Sequence, residues 1–230
     1  MSRTWDVSSS LLVSAARAGA GLIASPAARR PERPLELYEF EACPYCRLVR
    51  EALSTLDLDA LVFPCPKGGE RFRPEAVARG GKARFPYLHD PNTGLSHYES
   101  GEIVRYLAHE YGGEVPAWAR LGVVGRVSSM VASAARPTRG LRARPSRRPA
   151  APLELWSFEA SPYSRLAREA LSELELPYHL HNVARGSRQR AAFVARSGKM
   201  QVPYLADPNT GRELFESADI VRYLEETYGA

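Results

Sequence analysis

Two cysteines held two residues apart, in Cys43-Pro44-Tyr45-Cys46, are the side chains of this sequence best suited to do chemistry. A thiolate, not a thiol, attacks a disulfide, and in Cys-X-X-Cys motifs a thiol pKa can fall from ~8.5 to roughly 3.5–7. Pro44 suits a first helical turn, where its missing N–H costs nothing, so the motif is expected to open a helix. Cys43 then faces unpaired N–H groups and the positive end of the helix dipole. Cys46, one turn below, is expected to be the buried partner that resolves a mixed disulfide on Cys43. Glu39 and Glu41 precede the motif and oppose a thiolate, and Arg47 and Arg50 compensate, so a thiolate of ordinary acidity is expected. Buried structural thiols or half of a zinc site are the alternatives. Zinc needs four ligands, and His89, His97, His109, His179 and His181 form no HxxxH-type cluster, so redox chemistry is preferred and no metal is expected.

The elements that must position these thiols occur twice. Aligning Leu35 with Leu153 sets an offset of 118, and 17 of 29 positions from Leu35 to Phe63 match. After a one-residue deletion, "PYLHDPNTG" matches "PYLADPNTG", and "YESGEIVRYL" matches "FESADIVRYL". In the second copy "CPYC" has become "SPYS", from Ser161 to Ser164. Each copy reads β-α-β-α-β-β-α. In the first, Leu35 and Leu37 make a strand. A helix follows with Val49, Ala52, Leu53 and Leu56 on its buried face, then the strand "ALVF" and a helix around Pro74 to Arg79. A hairpin turns at Asp90-Pro-Asn-Thr-Gly94, and a last helix carries Ile103, Val104 and Leu107. The segments before the copies also correspond. Apolar spacing at Val7, Leu11, Ala15, Ala18 and Leu22, and at Val123, Val127, Met130 or Val131 and Ala134, predicts a packing helix before each. The chain therefore divides into a helix and linker (1–34), a first unit with CPYC (35–112), a helix and Arg-rich linker (113–152) and a second unit with SPYS (153–230).

With 230 residues, 44% hydrophobic and 25% charged, the chain reads as globular, and no apolar run approaches the ~20 residues that span a bilayer. Three cysteines, Cys43, Cys46 and Cys65, make no secreted disulfide framework, and a reducing, cytoplasmic setting is expected. The Arg-bearing stretch "LLVSAARAGAGLIASPAARR" looks superficially like a targeting peptide, but its apolar run is broken by Arg17 and a similar stretch recurs mid-chain. The net charge of +5 is concentrated in Arg136, Arg139, Arg142, Arg144, Arg147 and Arg148. A solvated linker is preferred over a nucleic-acid patch there, and no nucleic-acid partner is expected.

This element order, with CPYC opening the first helix, resembles the thioredoxin fold in its glutaredoxin form, and in detail the N-terminal domain of glutathione transferases. The resemblance rests on CPYC, on Phe85-Pro86 with Glu99-Ser100, and on Val202-Pro203 with Glu216-Ser217, and covers about two thirds of the chain. It implies two tandem thioredoxin-fold domains of α/β class, each with a cis-proline, at Pro86 and Pro203. It implies glutathione as co-substrate, with Tyr45 beside it, Phe85 pairing its cysteinyl backbone, and Glu99 and Ser100 holding its γ-glutamyl end. The plainer reading of Ser100 is that it N-caps the last helix, with Glu102 nearby.

For the serine copy two readings stand. Ser161 either donates to a glutathione thiolate, with Val202, Pro203, Glu216 and Ser217 completing a second site, or simply caps its helix. Cys65, between Pro64 and Pro66, is either a third redox thiol or a small packing residue, and packing is preferred. The chain as given leaves no room for the large helical domain that builds a transferase's electrophile pocket. The expected function is thus a glutathione-linked thiol–disulfide oxidoreductase acting on a disulfide-containing substrate. A non-catalytic glutathione- or protein-binding module comes second and a glutathione transferase third. Oligomeric state, electron donor and a shared iron–sulfur site are left open by the sequence.

Overall fold

The computed structural model describes residues 10, 19–116, 119, 129–130 and 138–230. The helices expected before each copy fall, apart from isolated residues, outside that set. The first copy forms β1 (Leu35–Glu39), α1 (Pro44–Leu56), β2 (Ala60–Pro64), α2 (Arg73–Gly80), β3 (Tyr87–Asp90), β4 (Leu95–Tyr98) and α3 (Ser100–Tyr111). The second repeats the order with β5 (Leu153–Ser157), α4 (Pro162–Glu173), β6 (Tyr178–Asn182), α5 (Arg190–Ser197), β7 (Tyr204–Asp207), β8 (Arg212–Phe215) and α6 (Ser217–Tyr228). Both copies are thioredoxin folds.

Strand alternation sorts each copy into three layers. In β1, Leu35 and Leu37 point to one face and pack with Val49, Leu53 and Leu56 of α1 and Ile103 and Leu107 of α3. Tyr38 points to the other face and packs with Phe72, Ala76 and Tyr87, under α2. The β3–β4 turn closes as its sequence dictates. Asp90 accepts from the Asn92 N–H at 2.8 Å, and Gly94 takes φ +75°, a conformation that favours glycine. Tyr106 and Tyr111 of α3 both donate to the buried Asp90 carboxylate, tying the last helix to the hairpin. Asp207, Tyr223 and Tyr228 repeat the arrangement.

The two copies share one eight-stranded sheet, in the order β4-β3-β1-β2-β6-β5-β7-β8. They join where β2 pairs antiparallel with β6, through Ala60↔Leu180, Leu61↔His179 and Val62↔Tyr178. His179 is the equivalent of Leu61, and the flanking pairs exchange equivalents, so the two halves meet about a local twofold axis, the geometry of a C2 interface within one chain. Apolar residues of both halves, among them Leu35, Leu58, Leu153 and Leu176, belong to one continuous core.

The Arg-rich linker is not the free solvated segment its composition suggests. Lys67 N–H donates to Leu141 O at 2.7 Å and Ala143 N–H to Lys67 O at 3.0 Å, while Arg147 N–H donates to Tyr228 O at 2.7 Å. Arg144 pairs with Glu173 and Glu225. The first linker is pinned in the mirrored way, with Ala24 N–H donating to Arg185 O at 2.7 Å and Arg29 N–H to Tyr111 O at 2.9 Å. Each linker thus lies on its own copy's last helix and crosses to a loop of the other copy. Backbone hydrogen bonding, which composition does not report, decides this.

Candidate functional site

Cys43 occupies the N-cap of α1 with an extended backbone, and Pro44 is the first helical residue. Its sulfur accepts the Cys46 N–H at 3.3 Å and lies 3.9 Å from the Phe85 carbonyl oxygen. The Cys46 side chain donates to it as well, and together with the N–H groups of Tyr45 and Cys46 this lowers the Cys43 thiol below its ordinary pKa, against burial and the charge of Glu39. Cys46 is fully buried, and burial followed by its bond to Cys43 pushes its thiol well above the ordinary range. The pair is therefore split into one thiol poised to ionise and one that holds its proton.

Around Cys43 lies a small rim. Tyr45 is exposed, whereas Pro86 is buried behind Phe85. The Phe85–Pro86 peptide is cis, as is Val202–Pro203. Phe85 meets the Phe40 ring edge-on at 6.4 Å, and the Arg73 guanidinium sits 4.8 Å over the Phe85 ring. Arg73 Nε donates to Cys65 O at 3.0 Å and Pro66 O at 2.6 Å, fixing that cation beside the rim. Sequence reasoning passed over Arg73, whose only signal was its place at the start of α2.

Ser100 does not cap α3, as its hydroxyl type suggested. It is the first residue of the helix and buried, and the cap position falls to Glu99, whose φ of 62° turns the chain sharply into the helix with no side-chain cap bond. Glu99 itself is exposed, 3.6 Å from Arg84. In the second copy Glu216 takes φ 65° and Ser217 opens α6. Ser161 does cap its helix, accepting from Ser164 N–H at 3.2 Å and Ser164 Oγ at 2.9 Å. Cys65 is wholly buried in the aromatic cluster of Tyr38, Phe72 and Tyr87, and burial raises its thiol far beyond the ionising range, as suits a packing residue.

Behind the motif lies a buried ionic network drawn from both copies. Arg50, four residues on from Cys46 along α1, binds Glu39 through Nη1, Glu41 through Nη2 at 3.2 Å, and Glu159 of the second copy through Nε at 2.9 Å. Its equivalent Arg168 binds Glu41 at 3.0 Å and Glu159 at 2.8 Å. Arg165 stands 3.6 Å from Glu41 and 3.8 Å from Glu159. All these side chains are buried, and the symmetric contacts Glu159 N–H to Ser54 Oγ, 3.0 Å, and Glu41 N–H to Ser172 Oγ, 3.3 Å, lock the two motif loops across the axis. Arg47 and Arg50 had been assigned to offset Glu39 and Glu41 within the first copy. Arg50 does so, but it divides its charge with a carboxylate from the second. The signal was present as arginines on an otherwise apolar helix face, repeated in both copies.

Ser10 and Ser129, from the segments before each copy, donate to Pro162 O and Pro44 O respectively, each at 2.7 Å. Each thus contacts the motif of the other copy. Among the described residues, no helix is long and apolar enough to cross a membrane, and no group of three or more His, Cys, Asp or Glu is placed to hold a metal ion.

The family model of the glutathione S-transferase N-terminal domain matches residues 37–115 and again 155–230, more than half of the chain. The chain belongs to this family. It carries the family's domain twice, and membership ties it to glutathione-related function. Among solved structures, a Bombyx mori glutathione transferase, BmGSTD1, is 29% identical over 37% of this chain and 39% of its own, with a TM-score of 0.33. The trimeric Leishmania glutathione transferase TDR1 is 15% identical over 84% of this chain and 66% of its own, with a TM-score of 0.29. The chain therefore spans less than two thirds of either protein's length. No curated protein matches it.

Proposed function

We propose that this protein is a glutathione-linked thiol–disulfide oxidoreductase whose reaction runs in the first domain. The observation that carries the reading is the division of Cys43 and Cys46 into a helix-capping thiol of lowered pKa and a buried thiol of raised pKa, one turn apart. Cys43 attacks a disulfide substrate and Cys46 or glutathione releases the product. Glutathione lies along the rim, its cysteinyl backbone on Phe85 ahead of Pro86, its γ-glutamyl end at Glu99 and Ser100, with Tyr45 alongside. A reducing compartment such as the cytoplasm keeps the dithiol in its working form. The boundaries that suit this division of labour are 35–112 for the redox unit and 153–230 for its serine counterpart.

A second reading applies to the second domain, because Glu216 and Ser217 reproduce the turn of Glu99 and Ser100 to within a few degrees. On this reading Ser161, Val202, Pro203, Glu216 and Ser217 form a non-catalytic glutathione-binding site. The test of the main reading is glutathione-dependent reduction of a small mixed disulfide. Cys43→Ser abolishes it and Cys46→Ser keeps part of it. Activity that survives Cys43→Ser overturns the assignment.

A further inference from the structure

The thiol–disulfide reading leaves one buried titratable group beside the motif without a role. Alternation along β1 places Glu39 on the same face as Leu35 and Leu37, against α1. Cys46 and Arg50, four residues apart, share the side of α1 that meets this face, and Arg50 Nη1 holds the Glu39 carboxylate. The Cys46 sulfur accepts the N–H of Phe40, the residue next to Glu39. Cys46 is 0% and Glu39 2% exposed, so neither exchanges its proton directly with bulk water.

We propose that Glu39 accepts the proton of Cys46 when Cys46 resolves a mixed disulfide on Cys43. The proposal rests on the thiol–disulfide reading above. The step balances as follows. The Cys46 sulfur forms a bond to the Cys43 sulfur, the bond from Cys43 to the substrate sulfur breaks, and its electron pair leaves as the substrate thiolate. The two cysteines are oxidised to a disulfide, the substrate sulfur is reduced, and the Cys46 proton rests on the Glu39 carboxyl.

Two observations beyond proximity support this. Arg50, the cation bound to Glu39, also serves Glu41 and Glu159, so Glu39 receives only part of its charge. Burial then raises the carboxyl to about 7, against the pull of Arg50 and with the repulsion of Glu41 and Glu159, which makes it a base of useful strength near neutrality. The second observation is internal to the molecule. The serine copy has Ser157 at the equivalent position, and the buried Ser157 hydroxyl has no hydrogen-bond partner. The copy that keeps its thiols keeps a carboxyl there, and the copy without thiols has neither. The other groups around Glu39 are Cys43, Cys46 and Arg47 on α1, Glu41 on the motif loop, Cys65 after β2, and Glu159, Arg165, Arg168 and Tyr178 from the second copy.

The test uses the reduced full-length chain and an aromatic disulfide reagent that releases a coloured thiolate. Attack by Cys43 releases a first equivalent, and attack by Cys46 on the resulting adduct releases a second. Cys46→Ser, which stops after the first, identifies the phases. Glu39→Gln, and Glu39→Ser to copy the second domain, are expected to slow the second release roughly a hundredfold near pH 7, the lower end of general-base effects. The first release keeps its rate or quickens slightly because a negative neighbour is gone, and so reports that the variants are folded. In the unsubstituted chain the second release should rise through an inflection near pH 7 that the first lacks. A second release of unchanged rate in both variants, or no such inflection in the unsubstituted chain, overturns the proposal while leaving the dithiol reading intact. A single equivalent released by the unsubstituted chain overturns both.

Discussion

Cys43 and Ser161 stand at the same point of the same turn, with φ −71° in each and ψ 120° and 115°. Each caps its helix by accepting the N–H of the residue three positions on. The backbone, the cis-proline and the entry into the last helix are also common to both halves. What differs is a handful of side chains: sulfur against oxygen at the motif, Glu39 against Ser157 beneath it, and Phe63 against His181 on the neighbouring strand. A fold that supports the chemistry is therefore separable from the groups that perform it. The serine copy keeps the first and supplies Glu159, Arg165 and Arg168 to the ionic network behind the thiols of the other.

The largest effect that tests this comparison is on stability. Removing one partner from a buried ion pair leaves an uncompensated charge and costs roughly 3–5 kcal/mol. Arg50→Ala and Arg168→Ala should both fall in that range by denaturant unfolding. Arg50 should cost more, because it serves three carboxylates where Arg168 serves two. Equal or reversed costs would show that the network is as symmetric as the backbone.

A smaller effect concerns His181, which stacks on Trp156 at 4.5 Å where the first copy stacks Phe63 on Tyr38 at 4.7 Å. It is held by Asp59 of the first copy, 3.2 Å away, and by Glu154. Those two carboxylates raise the imidazole to about 9 despite burial, from an ordinary 6.5. A folded pKa above the unfolded one contributes stability that is complete below about pH 6.5 and lost as pH rises through about 9. Because the group is partly exposed, about 1 kcal/mol is expected. Relative to the unsubstituted chain, His181→Phe should therefore lose its deficit between pH 6.5 and 10. A deficit independent of pH would assign His181 to packing alone.

The smallest expected effect is in glutathione binding by the second copy. Calorimetry on the full chain carrying Cys43→Ser and Ser100→Ala should give no saturable heat at millimolar glutathione, where even a site worth about −4 kcal/mol half-fills. Saturable binding lost on Ser217→Ala would instead make the second copy a working site.

Much of this architecture was legible because the repeat displayed it twice. Periodic apolar residues such as Val49, Leu53 and Leu56 located the helices, and the Asp90–Gly94 turn located the hairpin, since local chemistry fixes both. The motif cysteines were legible for the same reason. The Arg50–Glu159 contact was not, because pairing across the two copies depends on how β2 meets β6, and β2 carries no mark that its edge is taken. Ser100 was misread as a cap because residue type favours serine there, while the positive φ of Glu99 that displaces it has no signature in a single sequence.

The pairing of β2 with β6 inside one chain has a kinetic consequence. Two separate copies meeting through this surface would come apart on dilution, and the ionic groups at its centre would be exposed to water each time. Covalent linkage replaces bulk concentration with an effective concentration set by the connecting chain, in the millimolar range for a short flexible tether. Here the tether is itself hydrogen-bonded to both halves, so the halves remain together at any expression level. The environment of the thiols is thereby independent of how much protein the cell contains.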